Sequence, residues 1–127
     1  MISLLVVNYH SAALAVEAIR SARAASASPS LQVVVVDNSE DPREAEALRR
    51  IADRVIVPDR NRGYAGGINA GRPACEGDVI IVANPDVVFS PGSIDRLVEP
   101  LEGRVAVTGP ALFWDDAHEW FLPPGDR

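Results

Sequence analysis

Basic residues are scarce in this sequence: 12 Lys and Arg stand against 18 Asp and Glu, for a formal net charge of −6. Non-specific nucleic-acid binding needs a positive field, so that class is excluded. Cysteine is nearly absent, and the single residue, Cys75, cannot close an intramolecular disulfide. Long apolar runs are missing too. The longest aliphatic stretch is about six residues, far short of the roughly 20 that span a bilayer. The opening residues MISLLVVNYH lack the basic n-region of a signal peptide. These absences predict a cytoplasmic chain without a transmembrane segment. There is no G-x-G-x-x-G after the first predicted strand and no G-x-x-x-x-G-K-[ST], which weakens dinucleotide and P-loop readings. No Ser/His/Asp or Cys/His arrangement is legible. His10 and His118 have no partner at ligand spacing, and Cys75 reads as a small buried hydrophobe.

What is present suits one globular domain with a real core: 127 residues, 47% of them hydrophobic. Ile2–Val7 reads as a buried strand. Ser11 is a candidate cap for a helix over Ala12–Ala25, carried by Leu14, Val16, Ala18, Ile19 and Ala22. After the loop SASPS, Gln32–Val36 is a second strand ending in Asp37-Asn38-Ser39. Asp41, Pro42 and Glu44 then form a helix start with a capping box, and Leu48 and Ile51 give its apolar face. Val55–Val57 is a third strand. A glycine-rich turn, RNRGYAGGINAG, enters a helix that Pro73 ends or kinks. Val79–Val82 is a fourth strand. Ser90 caps a helix starting at Pro91 and carried by Ile94, Leu97 and Val98. Arg104–Thr108 is a fifth strand. Continuous apolar strands alternating with helices predict a three-layer α/β/α fold around a mostly parallel sheet.

Ligands of such open sheets bind beyond the carboxyl ends of the strands. That places Asn8 and Tyr9, Asp37 and Asn38, the glycine-rich turn, and Asn84 and Asp86 at one rim. Asp37-Asn38-Ser39 is either an ordinary turn or a place where Asp37 accepts from a base N–H or ribose hydroxyl. Gly66 and Gly67 near a helix start cost about 1 kcal/mol each in helix propensity. So many small residues there imply close backbone approach, to a ligand or to a neighbouring strand. Arg60 and Arg62 flank the turn as surface charges or phosphate contacts. Asn84-Pro85-Asp86 is either a tight turn or an oxygen ligand for Mg²⁺ or Mn²⁺. Those ions take one or two carboxylates and complete their shell with substrate phosphate and water. A cation there would offset Asp86 and bridge it to a diphosphate that an acidic protein otherwise repels.

The segments VVNYHS, VVVVDNSEDP, NRGYAGGINAG, GDVIIVANPDVVFSPGSIDRLV and VAVTGPAL occur in that order. Together they resemble the nucleotide-binding half of inverting GT-A glycosyltransferases of family 2, especially rhamnosyltransferase-like members. The resemblance reaches to about Leu112 and rests on the ordered set, not on any single motif. It implies a GT-A fold in which Asp37 contacts the nucleobase and Gly66, Gly67 and Asn69 pack near the nucleotide. Asn8, Tyr9, Asn38 and Asn84, placed at the rim by the strand-end rule, and Arg62, flanking the glycine-rich turn, are taken with them as the expected nucleotide site. Asp86, last residue of a D-x-D-type motif written N-P-D, binds Mn²⁺ or Mg²⁺ on the donor diphosphate. Ile68 and Pro73 depart from the family pattern, which more often has a polar residue and a continuing helix. Family members continue for roughly another domain half that shapes the acceptor site and supplies the general base. The resemblance therefore implies a donor-binding half whose partners are a nucleoside-diphosphate sugar such as dTDP-rhamnose or a UDP-sugar and, in a full enzyme, a saccharide or lipid-linked acceptor. A non-catalytic nucleotide-binding module with the same half-fold is the alternative. Phe113, Trp114, Trp120 and Phe121 put four of the seven aromatic residues near the end. Such a tail is expected to fold back over the sheet edge or to dock on a second copy.

Overall fold

Four runs of aliphatic residues pair side by side in a computed structural model of the chain, which describes residues 1–27, 30–113 and 117. They are β1 (Ile2–Asn8), β2 (Leu31–Asp37), β3 (Arg54–Ile56) and β4 (Val79–Ala83), ordered β3-β2-β1-β4. Every pairing is parallel. Ile2 lies opposite Leu31 and Asn8 opposite Asp37, while β4 runs along the other edge of β1 from Val79 beside Ile2 to Ala83 beside Val6.

Alternation along the strands sends successive side chains to opposite faces. Leu4, Val6, Val33 and Val35 pack with Ala15, Ile19 and Ala22 of α1 (Ala12–Ala25), Leu48 of α2 (Pro42–Arg49) and Ile94 of α4 (Ser93–Val98). Leu5, Val34 and Val36 face the other way, under Ile68 and Ala70 of α3 (Gly63–Gly71) and Ala74 of a 3-10 turn at Arg72–Ala74. Helices thus cover both faces, and the layers are α/β/α. The α3 cover does not extend over β4: Ile80 and Val82, beside Ser3 and Leu5, stay more than a third exposed. The chain falls into two compact units, Met1–Asp95 and Arg96–Arg127. No helix among the described residues is long and apolar enough to cross a membrane.

Several expectations need correction. Leu14 is exposed, because α1 turns an alanine stripe to the sheet and puts Leu14 off that stripe. The third strand is Arg54–Ile56; Val57 lies outside it and is half-exposed. The last helix begins at Ser93, since Gly92 adopts φ +73° and interrupts any helix from Pro91. Arg104–Thr108 is not a strand. A strand needs a partner for its backbone groups, and these residues have no ladder among the described ones; Val107 is 85% exposed. Within the second unit the Val105 amide instead donates to Glu102 O at 3.2 Å and the Thr108 hydroxyl to Leu97 O at 2.7 Å. Of the terminal aromatics only Phe113 lies within the described residues; the expected docking of Trp114, Trp120 and Phe121 falls outside them.

Candidate functional site

Because β1 and β2 pair in register to their ends, Asn8 and Asp37 sit side by side at the carboxyl rim. Both are buried. A carboxylate out of water must be hydrogen-bonded, and Asp37 is, on one oxygen. Its Oδ1 accepts from Asn8 Nδ2 at 3.0 Å, Ser39 N at 3.1 Å and Ser39 Oγ at 2.6 Å. Its Oδ2 is buried and has no partner. Asn8 Nδ2 also donates to Glu44 Oε2 at 3.0 Å, and Asn8 Oδ1 accepts from Ser11 N at 3.2 Å.

The start of α1 is capped by α2. Ser11 occupies the N-cap position, but its hydroxyl donates to Tyr9 O. The Ala12 amide is met instead by Glu44 Oε2 at 2.9 Å. Glu44 is therefore not half of a reciprocal capping box. Asp41 caps α2 alone, accepting from Arg43 N, while Pro42 takes the first helical position as expected. The two rim loops after β1 and β2 each carry a left-handed residue, His10 at φ 48° and Glu40 at φ 55°. The Ser39 hydroxyl ties the loops together by accepting from His10 N at 2.8 Å.

Asn38 is buried, and its amide is already engaged. Nδ2 donates to Gly63 O at 3.0 Å and Oδ1 accepts from Arg62 N at 3.3 Å, which fastens the start of α3 to β2. Above this staple lies a cleft of ≈ 220 Å³ lined by Val7, Tyr9, Asn38, Asn61, Gly63 and Tyr64. Both tyrosines are about half exposed, and Tyr9 meets the His10 ring edge-on at 4.6 Å. Arg62 pairs with Asp59 at 2.8 Å, and that hydrogen bond and charge hold the Asp59 carboxyl below its ordinary value.

The glycines divide by neighbour. A Cβ on Gly67 would stand 2.7 Å from Val7 Cγ1 and 3.0 Å from Val7 Cγ2; one on Gly71 would collide with Leu5 and Val36. These two, one helical turn apart, let α3 lie directly on β1 and β2. A Cβ on Gly66 would meet Arg62 Cβ at 2.8 Å. Asn69 is exposed two positions beyond Gly67, on the opposite side of the helix, and does not line the cleft. Cys75 is half-buried, its thiol pushed up by that burial.

Asn84 and Asp86 lie beyond the end of β4, with Val87 N donating to Asn84 O at 3.4 Å across the turn. Both are exposed. No group of three or more His, Cys, Asp or Glu side chains converges among the described residues, so no all-protein metal cage is built. A single exposed carboxylate on a turn does fit an ion that draws its other ligands from water and phosphate. Sequence reasoning missed Glu44, Asn61 and Tyr64 as site residues. A capping spacing masked the first, and a glycine-rich segment read for its backbone masked the others.

A family profile described as glycosyl transferase family 2 matches residues 3–127. An undecaprenyl-phosphate 4-deoxy-4-formamido-L-arabinose transferase from Edwardsiella ictaluri is 31% identical over 102 residues, 76% of this chain and 31% of that protein. The succinoglycan biosynthesis protein ExoO of Rhizobium meliloti is 36% identical over 101 residues, 77% of this chain and 29% of that protein. The chain thus spans about a third of the length of such relatives. Among solved structures, the mannosyltransferase PcManGT from Pyrobaculum calidifontis, in complex with GDP-Man and Mn²⁺, superposes with a TM-score of 0.73 at 20% identity, over 81% of this chain and 32% of that one. Residues 1–349 of S. aureus TarS, in complex with UDP, superpose at 0.62 and 20% identity, over 90% and 39%. The fold is that of GT-A glycosyltransferases.

Proposed function

The chain belongs to glycosyl transferase family 2, and from that premise we propose that residues 1–127 form the donor-binding domain of an inverting, metal-dependent glycosyltransferase. The donor is a nucleoside-diphosphate sugar such as dTDP-rhamnose or a UDP-sugar. The observation that carries the reading is Asp37 Oδ2, a buried carboxylate oxygen without a donor at the carboxyl rim of a parallel sheet. Buried polar atoms without partners are rare and ask for an explanation. A base N–H or ribose hydroxyl supplies the missing donor. The GDP-Man and Mn²⁺ bound to one structural neighbour, and the UDP bound to another, support this class of ligand.

Each residue then has a task. Tyr9 and Tyr64 present flat apolar faces beside the base. Arg62 exchanges Asp59 for a phosphate oxygen, for which its planar fork is suited. Asp86, with Asn84 beside it, would hold Mn²⁺ or Mg²⁺, which supplies charge neutralisation to the departing diphosphate. In the transfer, the acceptor oxygen bonds to the anomeric carbon as the bond to the diphosphate breaks on the opposite face. The acceptor, a saccharide or lipid-linked hydroxyl, gives its proton to a general base. We assign that base to none of these residues.

Calorimetry with UDP, GDP and dTDP, each with and without Mn²⁺, tests the reading. One of the three should bind about tenfold or more tighter with Mn²⁺, a gain of one cation–diphosphate contact. Asp86→Asn should remove that gain and leave the metal-free affinity in place. Asp37→Asn, which puts a donor where the ligand brings one, should weaken binding with or without metal. Affinity indifferent to Mn²⁺ would sink the metal role, and failure of all three nucleotides would sink the donor-binding reading.

A further inference from the structure

We propose that Glu44 is a positioning residue: acting through Asn8, it holds Asp37 so that one carboxylate oxygen is saturated and the other is left for a ligand. The ligand half of this statement rests on the donor-binding reading above. The positional half rests on hydrogen-bond geometry alone.

The Asn8 amide has two hydrogens. It lies 3.0 Å from Asp37 Oδ1 and 3.0 Å from Glu44 Oε2, with Ser39 Oγ a longer third acceptor at 3.2 Å. The Ser39 hydroxyl has already given its own hydrogen to Asp37. Each Asn8 hydrogen therefore goes to one carboxylate. On its other side the Asn8 oxygen accepts from Ser11 N. A flip of this amide would set its oxygen against two carboxylates and its NH₂ against an N–H. With both carboxylates present the amide has one orientation, and Asp37 Oδ1 keeps three donors.

Glu44 can hold this post because α1 holds it. Its Oε2 accepts from Ala12 N in the first turn of a 14-residue helix, where the backbone dipole favours negative charge. Among the described residues neither Asp37 nor Glu44 forms an ion pair, so hydrogen bonds and no cation hold the two neighbouring carboxylates, with Asp37 Oδ2 left without a donor. Asn8 also directly precedes Tyr9, so its orientation bears on a wall of the cleft as well.

A capping role alone would make Glu44 matter only to stability, and three readouts on the same chain separate the two. Triple-resonance NMR follows the Asn8 side-chain NH₂. In the wild type its two protons should be distinct and protected from exchange. In Glu44→Ala they should lose protection, and in Glu44→Gln, which keeps an acceptor, they should regain most of it. Calorimetry with UDP, GDP and dTDP plus Mn²⁺, run well below melting, should show Glu44→Ala weakening the best binder about tenfold, the scale of one charged hydrogen bond. Glu44→Gln should recover most of that loss. Thermal melts run alongside keep stability separate. A destabilised Glu44→Ala with unchanged Asn8 protons and unchanged affinity overturns the proposal and leaves a cap. Should the wild type bind none of the nucleotides, the donor reading fails, and the Asn8 protons still decide whether Glu44 orients the amide.

Discussion

Replacing Gly67 with alanine sets two opposing effects against each other, and the geometry says which wins. Alanine is the better helix former, so α3 would gain about 1 kcal/mol if nothing stood in the way. Val7 does stand in the way: the new methyl would lie 2.7 Å and 3.0 Å from its two γ carbons and 3.3 Å from Asn38 Nδ2. Relaxed carbon contacts lie near 3.5–4.0 Å, so helix and strand would have to part by about 1 Å. Val7 is β-branched and in a strand, with little rotamer freedom to yield. Overpacking of this kind costs about 1–3 kcal/mol. With three short contacts against a stiff strand the upper part of that range applies, about 2–3 kcal/mol, so the expected net loss is about 1–2 kcal/mol, which at this chain length lowers the melting midpoint by roughly 3–10 °C. Thermal and denaturant unfolding of Gly67→Ala would measure it. The double variant Gly67→Ala/Val7→Ala supplies the control: with both γ carbons gone, the alanine at 67 should cost little or even stabilise, giving a clear coupling in the cycle. A single variant as stable as the wild type would refute the packing argument. If it also lost nucleotide affinity at full stability, Gly67 would be making room for ligand and not for β1.

Two smaller perturbations probe the rim. Glu40 holds φ 55°, a region that suits glycine, so Glu40→Gly should raise unfolding free energy by about 0.5–1 kcal/mol if the released strain exceeds the entropy glycine adds to the unfolded chain; a loss of stability in denaturant titration would show the loop is not strained there. Because Asp59 has a folded value depressed below 3.8 by Arg62, its contribution to stability is complete above that value and fades only as pH falls through the depressed one. Asp59→Asn should therefore unfold like the wild type in strong acid and differ from it, slightly, only at higher pH; equal pH profiles throughout would deny the pair any role.

The parts of this fold that were legible in the sequence are those where local pattern and burial agree. Val33 to Val36 are four β-branched residues bounded by turn residues, which reads as a short strand covered on both faces, and Asp37 at its end follows from that. Asp41-Pro42 announces α2 because cap and first turn are chemically local. The misreadings share a different cause. Val57 and the valines of Arg104–Thr108 have strand propensity, but propensity cannot tell a residue whether an edge is open to receive it. Leu14 looks like the natural core residue of α1, yet the alanines allow a closer seat and take the buried side. Glu44 sits three residues after Asp41, so its spacing suggests a partner within its own helix. Its actual partners, Asn8 and Ala12, are more than thirty residues away, and only the packing of α1 against α2 brings them within reach.

The central place of β1 also has a consequence in time. One edge of β1 is hydrogen-bonded to β2, which ends at Asp37, and the other to β4, which ends at Ala83. During synthesis the first edge can close early, while the second must wait for about 46 more residues to emerge, or roughly 2–9 s at ordinary elongation rates. Over that interval Leu4, Leu5 and Val6 line an unpaired edge on the nascent chain, the kind of surface that pairs with strangers. The long-range contact that ends the exposure is marked by a clasp: Asp78 N donates to Met1 O at 2.9 Å, and its carboxylate takes the terminal ammonium at 3.0 Å just as β4 begins. Slow codons between Ala52 and Asp78 would prolong the open interval and lower the soluble yield, and faster ones would shorten it and raise the yield.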